Sequence, residues 1–181
     1  MAKRKKGCAQ RTLQVPYTRT SRYREKSFIR MTKNPRIVRW HMGNTKSEYD
    51  YSLKLVIKEP MQLRDCSIES ARQACNRVIE KAVTKESYYL KIRSYPHHVL
   101  RENPLAAGAG ADRLSTGMKM AFGKPIGVAA QVRPGSVIME LFVQEAGVKA
   151  GHEALRRART KLPGQYTVTE ERLSPLPVKE E

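Results

Sequence analysis

Two glycine-rich segments of this chain have residue types found in nucleotide-binding sites, but not at the spacings such sites require. Residues 108–113, Gly-Ala-Gly-Ala-Asp-Arg, lack the third glycine and the strand-to-helix setting of a dinucleotide-binding fingerprint. In residues 117–125 the glycine spacing is one residue too long for a phosphate-binding loop. Pro125 stands where that loop needs a Ser or Thr hydroxyl for magnesium. Neither segment predicts a nucleotide cofactor.

The histidines and acids do not form a catalytic or metal-binding set either. His97 and His98 are adjacent, so on a strand they would point to opposite faces and could not easily share a metal. No second cluster of Cys, His or carboxylates has ligand spacing. Asp112 is an isolated acid that suits a local ion pair or a turn. Because no nucleophile, base and oxyanion donor come together, we predict no enzyme activity, no metal, no cofactor and no small-molecule substrate.

Lysine and arginine are the residues whose distribution predicts a chemistry. The 181-residue chain has a net charge of +18, and residues 1–40 alone carry +12 because Glu25 is their only acid. A charge of this size normally implies a polyanionic partner. The candidate RNA-binding residues of this basic extension are Lys3, Arg4, Lys5, Lys6, Arg11, Arg19, Arg22, Arg24, Lys26, Arg30, Arg36 and Arg39.

Aromatic residues interleave with these cations and favour RNA over other polyanions. Tyr17, Tyr23, Phe28 and Trp40 can stack on exposed bases while the cations meet phosphates. A merely solvated basic tail is the alternative. A membrane surface is disfavoured because residues 1–40 contain no amphipathic helical pattern.

Targeting and redox signals favour a cytoplasmic protein. No stretch approaches the roughly 20 apolar residues of a membrane span, and no apolar segment follows the first lysines as in a secretory signal. Three cysteines, an odd number without a close pair, indicate a reducing compartment.

The predicted helices and strands form one α+β domain at 36–166. A basic extension at 1–35 precedes this domain, and an irregular tail at 167–181 follows it. Hydrophobic alternation predicts strands, and a turn at Arg133-Pro-Gly-Ser136 predicts a hairpin between the last two. Three- and four-residue spacing predicts two amphipathic helices packed on a mainly antiparallel sheet. The predicted strands are 36–40, 51–57, 88–95, 128–132 and 137–143, and the predicted helices are 66–86, with Asp65 or Ser67 as cap, and 148–161.

A long Gly/Ala-rich loop at about 96–127 interrupts this domain. Unstructured loops beyond about 12–15 residues are usually functional or disordered, and the disordered insertion is the alternative here. The scattered cations of the loop are Arg101, Arg113, Lys119 and Lys124. Arg156 and Arg157, in the last turns of the second helix, are either an RNA-facing edge or cations favoured by the helix C-terminus.

Several segments resemble the archaeal and eukaryotic branch of the universal large-subunit ribosomal protein sixteen family, also called ten-e. They are Tyr95-Pro-His-His-Val-Leu-Arg101, Ala109-Gly-Ala-Asp-Arg-Leu-Ser-Thr-Gly-Met118, Ala121-Phe-Gly-Lys-Pro125, Gly151-His-Glu-Ala-Leu-Arg-Arg-Ala-Arg159 and Lys161-Leu-Pro-Gly164. The similarity covers roughly residues 35–166. Before residue 35 the likeness is in charge and in Pro16-Tyr17 only.

The resemblance implies a structural constituent of the large ribosomal subunit. It implies an α/β sandwich with a hammerhead-like β motif, bound to large-subunit ribosomal RNA and neighbouring ribosomal proteins. It also implies that the long loop reaches toward the peptidyl-transferase centre and the transfer RNA at the acceptor site. The alternative is a free-standing RNA-binding assembly or modification factor.

Overall fold

The computed structural model describes residues 8–30, 34–103, 106, 108–115 and 117–173. These residues form eight strands, four α-helices and three single 3₁₀ turns. In chain order the α-helices and strands are α1 Cys8–Arg11, β1 His41–Gly43, β2 Tyr51–Ile57, β3 Met61–Arg64, α2 Asp65–Ala82, β4 Tyr88–Ile92, β5 His98–Glu102, α3 Ala111–Leu114, β6 Lys124–Val132, β7 Val137–Val143, α4 Val148–Arg159 and β8 Tyr166–Arg172.

The strands form two antiparallel sheets. A five-stranded sheet has the order β1-β4-β7-β2-β8, and a three-stranded sheet has the order β3-β6-β5. The long helices α2 and α4 pack against each other and against one face of the five-stranded sheet. The α+β prediction, with two helices on mainly antiparallel sheet, is therefore confirmed.

The main core follows from the periodicities of the chain. Leu53, Leu55 and Leu141 point to the helices from alternate positions of β2 and β7 and are fully buried. Ile68 and Ile79 meet them from the apolar stripe of α2. The predicted helix at 66–86 is confirmed with slightly earlier ends, and so is the helix predicted at 148–161.

Gly151 lets α4 lie close to the sheet. A Cβ atom at this position would lie 2.5 Å from Leu53 Cδ1 and 3.2 Å from Leu141 Cδ2. We expect Gly151→Ala to lower the free energy of unfolding by about 1–2 kcal/mol, because overpacking outweighs the higher helix propensity of alanine. Urea unfolding measures it. Gly127→Ala is the control, because its Cβ would contact nothing, and equal losses in both variants would contradict the close-packing explanation.

The strand predicted at 36–40 is wrong, because this segment is held by a helix rather than by a sheet. The backbone N–H of Arg36 donates to Asp65 Oδ2 at 3.2 Å, and that of Val38 donates to Glu69 Oε2 at 3.3 Å. The strand begins only at His41, where β1 pairs with β4. Asp65 also accepts from the Cys66 N–H, so it satisfies one backbone donor of the first turn of α2.

The hairpin predicted from the turn at 133–136 is also wrong. The turn itself forms, with Ser136 N–H donating to Arg133 O and Gly135 at φ +83°. However, β6 pairs with β3 and β5, whereas β7 pairs with β2 and β4. The turn reverses the chain between two sheets, since both flanking strands find their partners elsewhere.

Two further predictions overestimated irregular structure. The loop placed at 96–127 is shorter, because β5 and β6 pair and only residues 103–123 connect them. The tail at 167–181 is not irregular throughout, because β8 pairs with β2 along its whole length. β8 is an edge strand with mostly exposed side chains, so its sequence shows little alternation. Residues 174–181 lie outside the described part of the chain.

Candidate nucleic-acid interface

The basic extension docks on the root of the loop rather than hanging from the domain. Tyr17 lies beside the edge strand β5, where its carbonyl accepts from the Val99 N–H at 3.0 Å. Ile29, Val99 and Val128 are buried together in a small second core, with Tyr17 packed against it. The extension and the hairpin formed by β5 and β6 are thereby one structural unit.

His98 joins the two partners of this unit. Its ring is buried, and its Nδ1 accepts a hydrogen bond of 2.8 Å from the Tyr17 N–H. An accepting Nδ1 requires the neutral ring with its proton on Nε2. Burial, and then the nearby charges of His97 and Arg101, lower the pKa of His98. The geometry therefore supports packing at the loop root as the role of His98.

Docking of the extension should therefore weaken on acidification. Since the docked pKa of His98 is lowered, the neutral ring favours docking above the ordinary value of 6.5, and this contribution is lost as pH falls below it. The protection factors of the Tyr17 and Val99 amides, measured by NMR hydrogen exchange from pH 7.5 to pH 5 and corrected for the intrinsic exchange rate at each pH, should fall at low pH. His98→Asn keeps an acceptor and should remove the pH dependence, whereas an unchanged pH profile in that variant would contradict the role given to His98.

Arg101 is held between two aromatic rings. Its guanidinium carbon lies 3.8 Å from the ring centroid of Phe122 and 4.8 Å from that of Tyr17. Its Nη1 also donates to the Phe122 carbonyl at 3.3 Å. The two rings meet edge to face at 5.4 Å. We call Tyr17, Arg101 and Phe122 the aromatic clamp, and it fastens the extension to both ends of the loop.

The other predicted loop cations point outward. Arg113 lies in α3, Lys119 lies in the 3₁₀ turn Gly117–Met120, and Lys124 begins β6, and all three are exposed. Met118 and Phe122 beside them are 74% and 63% exposed. We call residues 103–124 the arm; its described residues therefore present cations and large apolar side chains together.

The extension presents the same combination over a wider surface. Arg19 lies over the ring of Phe28 at 4.0 Å, and Lys26 lies over Tyr23 at 5.4 Å. Both rings are about 70% exposed. The predicted RNA-binding residues with exposed side chains here are Arg11, Arg19, Arg22, Lys26, Arg30, Arg36 and Arg39. Lys3, Arg4, Lys5 and Lys6, and the side chain of Arg24, lie outside the described residues.

The structure places Arg156 and Arg157 on the exposed face of α4. Both pair with the exposed Glu153, at 2.7 and 2.8 Å, and these two hydrogen bonds lower the pKa of Glu153 to about 2. Exposed pairs of this kind contribute little stability. The structure does not bring these two arginines together with the extension or the arm.

Sequence reasoning missed Phe122 and treated Arg101 only as a cation for phosphate. A large aromatic residue directly before Gly123 in an otherwise small-residue loop was the available signal. Gly123 itself has φ +81°, and a Cβ there would lie 2.8 Å from the Glu102 carbonyl carbon. Only glycine fits this close approach, which sets Phe122 beside Arg101.

Comparison with known proteins decides the family. The model of the family "Ribosomal protein L16p/L10e" matches residues 14–169. The chain belongs to this family. A large ribosomal subunit protein uL16 from Staphylothermus marinus is 49% identical over 148 residues, which are 82% of each chain. The uL16 protein of Archaeoglobus fulgidus is 42% identical over 84% of each chain, and that of Hyperthermus butylicus is 40% identical over 92% of this chain and 86% of its own.

Membership in the L16p/L10e family confirms the resemblance read from the loop and helix motifs. The matched region begins at residue 14, so it includes Tyr17 and Ile29 as well as the domain predicted at 36–166. It makes the chain a ribosomal protein rather than an enzyme. Among the described residues, no helix is both long and apolar enough to cross a bilayer.

Proposed function

We propose that this chain is a structural constituent of the large ribosomal subunit that binds ribosomal RNA through its extension and directs the arm toward the acceptor-site transfer RNA, near the peptidyl-transferase centre. Family membership supports the large-subunit role. The single observation that carries the RNA-binding part is the docking of the basic extension at the root of the arm, which joins exposed cations and exposed aromatic rings in one surface.

The physical division of labour follows from this surface. Arginine and lysine neutralise phosphates and fix the position of the protein on RNA without reading sequence. Exposed rings such as Tyr23 and Phe28 add stacking on unpaired bases. The aromatic clamp fixes the direction in which the arm leaves the domain, so the arm can hold charge near the acceptor end while the RNA performs peptide transfer.

Copurification tests the ribosomal role against that of a free-standing factor. A tagged full-length chain should remain at one copy per large subunit after a high-salt wash in a sucrose gradient. A free-standing assembly or modification factor would instead be substoichiometric and would leave the subunit in salt. Because a structural constituent acts as one copy in each particle, washed subunits that lack it should regain their properties on adding the protein in stoichiometric amount, not in catalytic amount.

A further inference from the structure

A cavity of about 370 Å³ lies beneath the extension, on the face of the three-stranded sheet that does not contribute to the main core. This volume is within the roughly 300–1,000 Å³ of typical small-ligand sites. The extension covers one side of the cavity and the arm forms its rim. Its lining residues are Gln10, Thr12, Gln14, Gln62, Arg64, His98, Leu100, Arg101, Phe122 and Ile126.

The register of the strands explains why a cavity forms there. Gln62 and Arg64 of β3 line the cavity, as do His98 and Leu100 of β5, because residues two apart on a strand share a face. Between them, β6 offers Gly127 opposite Leu100. A Cβ added at Gly127 would have no other atom within 4 Å beyond its chain neighbours, and it would lie on the same face of the sheet as its partner Leu100, at the floor of the cavity.

The lining combines one polar atom that lacks a hydrogen-bond donor with apolar side chains. The side-chain oxygen of Gln10 is buried and accepts no hydrogen bond from the described part of the chain. A buried acceptor without a donor is destabilising, so a ligand N–H would be favoured at this point. Leu100, Ile126 and Phe122 supply apolar wall, and Arg101 places a positive charge at the rim.

We propose that this cavity takes one unpaired base of the bound RNA, with an amino or ring N–H of the base donating to Gln10 Oε1. The proposal rests on the proposed function, because it names a subsite of the same RNA interface. A base matches the lining in shape and in chemistry. Its flat face is apolar, and its edges are polar and can hydrogen-bond to side-chain amides. The phosphates on either side of it can meet the cations at the rim.

Phosphate alone fits the interior less well than a base does. The buried polar groups of the lining include the amide of Gln62, the neutral ring of His98, whose Nδ1 already accepts from Tyr17, and the Nε of Arg64, which as an N–H donor can meet an acceptor on a base edge. These groups suit the edge of a neutral heterocycle. A side chain of a neighbouring protein is the competing occupant, and the experiment separates it from a base.

The test uses large subunits depleted of this protein and reconstituted with the full chain. Two variants alter the cavity without changing charge: Gln10→Leu removes the acceptor, and Gly127→Val fills the floor. Gln144→Leu makes the same chemical change at an exposed position outside the cavity and is the control. Base-specific modification by dimethyl sulfate and carbodiimide reports which RNA bases each protein protects. A photoreactive benzophenone residue in place of Ile126 reports whether RNA or protein lies at the rim.

We expect one nucleotide to be protected by the wild type and by Gln144→Leu and to become reactive with both cavity variants. The affinity of these two variants for large-subunit RNA should fall about 10-fold, which is the size of one lost base contact. The slope of log affinity against log salt should stay unchanged, because neither variant removes a charge. Identical protection by all four proteins, or a crosslink from position 126 to protein, would overturn the proposal. Failure of the wild type to enter the subunit would instead refute the proposed function.

Discussion

Four glutamine substitutions within the basic residues 1–40 are expected to lower the affinity for large-subunit RNA and to flatten its salt dependence together. The positions are Arg11, Arg22, Arg30 and Arg39, all exposed and none part of the second core. If each cation neutralises one phosphate, the slope of log affinity against log salt should fall by about 3. The affinity near 0.1 M salt should fall roughly 10²- to 10³-fold. Filter binding to a large-subunit RNA transcript across a salt series measures both quantities.

The matched control removes the same charge from elsewhere on the protein. Lys46, Lys58, Lys81 and Lys149 are exposed and belong to neither the extension nor the arm, so their replacement by glutamine should leave the slope nearly unchanged. Equal slopes for the two sets would mean that overall charge, not the extension, drives binding. Deleting the extension is a poorer experiment, because it also removes Tyr17 and Ile29 from the second core.

The elements with strong local periodicity were predictable from the sequence. In α2, Ile68, Cys75 and Ile79 recur at helical spacing, and all three are fully buried. In β2, the buried Leu53, Leu55 and Ile57 alternate with the half-buried Lys54 and Val56, and the strand ends as predicted at Ile57. Periodic patterns predict these elements correctly because only one face of each helix or strand packs against the core.

Predictions failed where distant partners decide the structure. The turn at 133–136 has the right residues for a hairpin, but pairing energy comes from β3 and β5 on one side and from β2 and β4 on the other. β3 is only four residues long, and β8 is exposed at an edge, so neither carries a local signal. The backbone donors of Arg36 and Val38 find carboxylates about thirty residues later, which no local propensity encodes.

In the candidate site too, the features set by local sequence were predictable and those set by distant contacts were not. The sequence alone identified the cations of the extension and arm, because charge density is a local property. It could not distinguish a cation that meets phosphate from one held in the protein, since that distinction for Arg101 depends on Tyr17, which is 84 positions earlier in the chain. The docking of His98 on the extension is likewise a contact over 81 positions.

The geometry of Arg101 decides how the arm must be tested. Replacing Arg101 removes the middle of the aromatic clamp and would disturb the extension along with the arm. Even Arg101→Lys loses the planar stack on Phe122. A variant meant to remove only charge from the arm must therefore leave this residue in place and use the exposed cations beyond it.

Substitution of Arg113, Lys119 and Lys124 by alanine should weaken transfer-RNA binding at the acceptor site while leaving the fold and the incorporation of the protein unchanged. All three side chains are exposed, and none belongs to either core. If they neutralise phosphates of the acceptor end, affinity should fall about 10- to 100-fold at low salt. The gap between variant and wild type should then narrow as salt rises, because the variant has the shallower salt slope.

The measurement compares acceptor-site binding on large subunits reconstituted with wild-type or triple-variant protein, after equal incorporation has been verified. Alanine at Lys46, Lys85 and Lys149 removes the same charge from surfaces remote from the arm and should bind transfer RNA as the wild type does. Equal affinities for arm variant, control and wild type across the salt range would show that the arm does not hold transfer RNA. In that case the clamp would position the arm for packing against ribosomal RNA, and the extension would carry the whole of the electrostatic interaction.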